Sequence, residues 1–108
     1  MTAYEFESKF KKGDVLSIGA YYVLLDCIRP GRLRRGCNAI VYYAIEDIFG
    51  DFDVCVMPRP GIGYIEDYKN DEVQLATNKK KREFYDGLAK RGYKWDSEHN
   101  MLVPTMTE

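Results

Sequence analysis

The apolar residues change their period once, at Thr77, and that switch restricts the fold more than any other feature of the chain. Before it they come in short runs rich in Tyr, Val and Ile, each stopped by Gly or Pro, the pattern of strands separated by turns. After it they recur at helical spacing as far as Gly92. Val15–Ile18 and Tyr21–Ile28 read as strands, and Pro30-Gly31 breaks the second within the loop 29–38. The run 39–45 is almost continuously apolar, which predicts an interior strand. Residues 54–57 read as a further strand ended by Pro58-Arg59-Pro60-Gly61, and 62–65 as a short edge strand before the polar stretch 66–72. The segment 2–10 fits either a short helix or a first strand.

Thr77 is a good N-cap, and residues 78–91 read as a helix with Gly92 at the C′ position. Phe84 and Leu88 share one face, with Tyr85 beside them; Lys79–Glu83, Arg82–Asp86 and Asp86–Lys90 are favourable pairs on the other. Gly87 costs the helix about 1 kcal/mol relative to Ala, which is consistent with close packing against a sheet. Residues 93–95 and 101–103 then form a hairpin around 96–100. Pro104 stops it, and 105–108 read as a loose tail.

A chain of 108 residues fits one domain, with 1–72 mainly strands and 73–104 a strand–helix–hairpin unit. Nine tyrosines suit half-buried sheet positions, where the ring packs and the hydroxyl reaches water. The expected fold class is α+β: a small SH3-like barrel or curled antiparallel sheet, followed by one helix and a β-hairpin.

The net charge of −1 names no partner, so an electrostatic argument must rest on local patches. Residues 1–10 carry Glu5 and Glu7 and no apolar core, unlike a signal peptide. The longest apolar runs are too short to span a bilayer, so no membrane partner is expected. Cys27, Cys37 and Cys55 lack CxxC spacing and are odd in number, which argues for reduced thiols in the cytoplasm.

No catalytic, metal or cofactor site is expected, and the chain does not read as an enzyme. His99 is the only histidine and falls in the hairpin turn. A Cys–His pair could form only in space, and Cys27 and Cys55 lie in strand-like runs that favour burial. Asp51 and Asp53 would share a strand face, yet no further ligand stands at a recognisable spacing. Gly61-Ile62-Gly63 lacks the third glycine of a dinucleotide loop and reads as a turn.

The basic residues carry more. Arg29, Arg32, Arg34 and Arg35 share one loop, with no acid between Asp26 and Glu46. The helix contributes Lys79, Lys80, Lys81, Arg82, Lys90 and Arg91 against Glu83 and Asp86. Four of these cations crowd the helix N-terminus, where the macrodipole disfavours them. Loop and helix together could straddle a phosphate backbone, with Trp95 as a stacking platform. The alternative is a solvated helix face, with Trp95 packing the hairpin onto Phe84 and Leu88.

Leu75-Ala76-Thr77, the charged helix, Gly92-Tyr93-Lys94-Trp95-Asp96 and Met101-Leu102-Val103 together resemble the C-terminal unit of small proteins of gut Bacteroidetes and their phages. Phe10-Lys11-Lys12-Gly13-Asp14 is similar to a front turn common in the same proteins. The helix, Gly92, Trp95, Asp96 and the hairpin are also similar to a unit of HARP-type domains, which implies DNA processing. The combined expectation is a non-catalytic accessory protein of mobile-element or phage type, contacting nucleic acid through the arginine loop and basic helix. The alternative partner is another protein, held by exposed Tyr and strand edges.

Overall fold

In the computed structural model, which describes residues 1–105, Thr2 opens helix α1 (Ala3–Lys9). Its hydroxyl accepts from the Glu5 N–H at 3.1 Å, and the Glu5 carboxylate accepts from the Thr2 N–H at 3.0 Å. This reciprocal cap satisfies two donors that a helix start leaves over, and Thr2-Ala3-Tyr4-Glu5 is its sequence signature. The segment left open between helix and strand is therefore a helix, and the described residues hold two α-helices rather than one.

Strands β1 (Val15–Ile18), β2 (Tyr21–Pro30), β3 (Asn38–Glu46), β4 (Phe52–Tyr64) and β5 (Val73–Leu75) form one antiparallel sheet in the order β4-β3-β2-β1-β5. The α+β class is as expected, in its curled-sheet form. No barrel closes, because β4 and β5 stand at opposite edges and do not pair. β4 also corrects the expected break at Pro58-Arg59-Pro60-Gly61, since one strand runs through it. An edge strand tolerates proline where an interior one would not. Ala44 pairs with Val54 but Tyr42 with Arg59, so residues 55–58 form an arch opposite Tyr43 alone, with Val56 and Met57 exposed and Cys55 in the core.

The sheet carries a core on each face. Phe6 of α1 and Phe10 just after it pack with Leu16, Ile18, Val23, Leu25 and Ile40 on one side. On the other, Val15, Leu24, Tyr43 and Ala44 receive Phe84 and Leu88 of helix α2 (Asn78–Lys90). Tyr43 and Ala44 are consecutive yet share a face, because Tyr43 is an extra residue in the β2–β3 ladder.

The Thr77 hydroxyl caps α2 by accepting from the Lys80 N–H at 3.1 Å. Gly87 lies where an added Cβ would come within 3.0 Å of the Phe52 ring, so the helix does approach the sheet closely there. Gly92 follows at φ +83°, in the left-handed region that ends many helices. None of the three expected pairs along α2 closes to within 4.0 Å; Lys80 instead reaches across to Glu46 of β3. Strands β6 (Tyr93–Asp96) and β7 (Met101–Pro104) form the expected hairpin as a separate two-stranded sheet. The Thr105 N–H bonds to the Gly92 carbonyl at 2.8 Å, and the remainder of the expected tail, 106–108, lies outside the described residues. No described helix is long and apolar enough to cross a membrane.

Candidate functional site

The loop joining β2 to β3 is clamped at three points. The Gly31 N–H donates to the Cys37 carbonyl at 2.8 Å, closing its base. The Arg34 guanidinium grips Asp67 with two bonds of 2.6 and 3.0 Å and lies 4.7 Å from the centre of the Tyr64 ring. Asn38 donates to Glu66 from its backbone at 2.7 Å and from its side chain at 2.9 Å. A side chain on Gly31 would run into the Tyr64 ring, so only glycine lets the loop lie against the end of β4. The Arg34 hydrogen bonds hold the Asp67 carboxyl below the usual carboxylate range, and those from Asn38 act on Glu66 in the same direction against its partial burial. Arg34, expected to meet phosphate, is one of the residues that fasten the loop.

Beside this clamp lies an open groove of about 730 Å³. Its floor is Val41, Pro60 and Tyr64, and Arg29, Arg32 and Leu33 stand along its rim. The Leu33 side chain is 93% exposed. Arg32 and Arg35 are exposed and make no ion pair among the described residues, whereas Arg29 lies 3.6 Å from Asp26 and remains 59% exposed. An apolar floor beneath cationic side chains can hold a ligand that is flat and greasy on one face and anionic at its edge.

The helix set is elsewhere. Lys80 meets Glu46 and lies 4.5 Å from the centre of the Tyr22 ring, so its ammonium is taken up by the protein. Glu46 Oε1 is closed off from solvent and has the Lys80 ammonium as its partner. Tyr22 and Arg29 are seven residues apart on β2, about 23 Å at the rise of an extended strand. Loop and helix N-terminus therefore stand at opposite ends of the sheet and do not form one patch. Lys81 lies over Tyr85 at 5.9 Å and Arg91 over Phe52 at 4.5 Å. Lys79, Arg82 and Lys90 are exposed and make no ion pair among the described residues.

Trp95 packs on Tyr43, with ring centres 5.3 Å apart, and covers Gly13, where a Cβ would come within 2.7 Å of the indole nitrogen. It joins the core that holds Phe84 and Leu88, as its packing reading requires.

Sequence reasoning missed Asp26, a buried charged side chain at the centre of a small polar network. It is the extra residue of a second irregularity in the β2–β3 ladder, between Leu25 and Cys27. Lys12 Nζ lies 3.0 Å from Asp26 Oδ1, and the Tyr43 hydroxyl donates to the same oxygen at 3.3 Å. The Cys27 thiol is 3.5 Å from Asp26 Oδ2; its burial, reinforced by that carboxylate, pushes its pKa up and away from nucleophilic use. A polar residue inside an apolar run was the available signal.

The remaining groups stay apart. His99 is exposed in the hairpin turn, with Nδ1 2.7 Å from Asp96 Oδ2. Asp53 pairs with Arg59 at 3.2 Å, and Asp51 closes the β3–β4 turn through its backbone. Among the described residues, the group of side chains near enough to share a cation is instead half-buried Asp96 at the end of β6 with exposed Glu98 and His99 of the turn that follows. Comparison with protein-family models, with curated proteins and with solved structures finds no match.

Proposed function

We propose that the chain is a non-catalytic binding module, an accessory protein of mobile-element or phage type, that takes single-stranded nucleic acid in the groove at the arginine loop. The observation that carries this reading is the placement of Arg29 and Arg32 along an apolar floor, with Arg34 spent on fixing the loop rather than on a ligand. Phosphates would meet Arg29, Arg32 and Arg35, and a base would lie on the floor. The far end of the sheet, with Lys79 and Arg82, is too distant to share the same nucleotides. The phage-type assignment rests on the resemblance of the helix–hairpin unit.

Anisotropy of labelled single- and double-stranded DNA and RNA, titrated with salt, tests it. Arg29→Gln, Arg32→Gln and Arg35→Gln combined should weaken binding and flatten the salt slope by about 2, from about 0.7 per phosphate contact. Lys79→Gln with Arg82→Gln should leave both unchanged. Absence of binding at low salt to any form, or a loss that follows the helix variant, would overturn the reading.

A further inference from the structure

We infer that the chain associates with a second copy of itself head to tail, the β3–β4 turn of one copy seating in the arginine-rimmed groove of the next. The turn is built to project. Asp47 Oδ1 accepts from the Phe49 N–H at 2.8 Å and from the Asp51 N–H at 3.0 Å. The Asp47 N–H donates to the Asp51 carbonyl at 3.0 Å, and Gly50 takes φ +80°. These bonds close the five residues into a tight loop and leave Ile48 and Phe49 outside it, 67% and 83% exposed. A large apolar pair held outward by a preordered turn loses little conformational freedom when it is covered.

The groove matches that turn in three respects. Its 730 Å³ is within the range of roughly 300–1,000 Å³ that accommodates compact ligands, which leaves room for two adjacent side chains. Its floor is apolar, as Ile48 and Phe49 require. Its rim is cationic, at Arg29 and Arg32, while the turn is flanked by Asp47 and Asp51. Opposite charges around an apolar centre give the pairing its orientation and exclude like-with-like contact.

The two surfaces cannot meet within one molecule. Ala39 lines the groove at the start of β3, and the turn begins after Glu46 at its end. Seven residues of strand separate them, about 23 Å. Two complementary patches about 23 Å apart, one of each on every molecule, can engage only between molecules, and each copy then offers its free patch to a further copy. A single turn in a single groove is a small interface, so the association is weak and reversible. Because it occupies the groove assigned above to nucleic acid, the two would compete, yet the contact itself requires no nucleic acid.

Sedimentation velocity on the nucleic-acid-free protein, up to about 1 mM, tests the inference. The unaltered chain should form dimers and larger species with rising concentration. Phe49→Asp and Arg32→Glu, both at exposed positions, should each weaken association by about tenfold or more. The decisive sample is their mixture. Phe49→Asp retains a groove and Arg32→Glu retains a turn, so together they should form a one-to-one dimer and nothing larger. An unaltered chain that stays monomeric throughout, a pair of variants that associate as it does, or a mixture that stays monomeric would each overturn the inference. None of these results depends on whether nucleic acid binds.

Discussion

Asp26 and Tyr43 are the two residues that interrupt the pairing of β2 with β3, and each is hydrogen-bonded to the other, hydroxyl to Oδ1 at 3.3 Å. One irregularity in each strand turns both side chains to the same face, where Lys12 joins them at 3.0 Å. The bulges and the polar network are thus one feature, since neither side chain would reach the other in a regular ladder.

Removing either half of the ion pair should therefore be felt. Asp26→Ala leaves the buried Tyr43 hydroxyl without its acceptor and should cost about 1–3 kcal/mol. Lys12 is 42% exposed, so Lys12→Met should cost less. Urea unfolding of both single variants and the double should show the double less destabilised than the sum. Strict additivity would mean that the two groups are not coupled.

Two glycines should respond differently. Gly87→Ala gains about 1 kcal/mol of helix propensity, offset by a Cβ 3.0 Å from the Phe52 ring, so its midpoint should stay near that of the parent. Gly13 sits at φ +94° beneath Trp95, and Gly13→Ala should destabilise by about 1–3 kcal/mol through backbone strain and displacement of the indole. Thermal unfolding separates them, and quenched Trp fluorescence should change only in the second.

The start of the chain should loosen in acid. The Glu5 carboxyl is lowered from 4.5 to about 2, first by the Thr2 N–H, then by the Asn70 amide and the Thr2 hydroxyl. A depressed carboxyl stabilises the fold above its unfolded pKa and loses that contribution as pH falls through its folded value. The cap of α1 should thus weaken between about pH 4.5 and pH 2. Carboxyl NMR titration should place the Glu5 midpoint near the lower limit, and Asn70→Ala should raise it.

Loop order should depend on Arg34 more than global stability does. Its bond to Asp67 is exposed, so Arg34→Ala should hardly move the unfolding midpoint. Backbone relaxation of residues 31–37 should nevertheless show increased motion, and affinity at the groove should fall although Arg34 touches no ligand. Unchanged loop dynamics would show that Asn38 and Glu66 alone suffice.

Much of this architecture was legible residue by residue. Thr77 and Gly92 bounded α2, Phe84 and Leu88 marked its buried face, the Tyr-, Val- and Leu-rich run marked β2, and the nearly continuous apolar run marked β3. The continuity of β4 was not legible, because prolines end interior strands and only the sheet order reveals an edge. Nor was the division of the basic residues. Neighbours in charge need not be neighbours in space, and only the length of β2 shows that Arg29 and Lys80 are remote. The role of Arg34 depended on Asp67, thirty-three residues away.

The proline-bearing edge has a consequence for how this molecule can meet others. At Pro58 and Pro60 the outer strand has no N–H to offer, and its arch breaks the flat rail that an incoming chain would need to copy. At the opposite margin β5 is only three residues long. With both margins blunted, backbone templating of the kind that seeds fibrils is denied at either side. Contacts along this sheet are left to side chains, whose sequence can choose the partner.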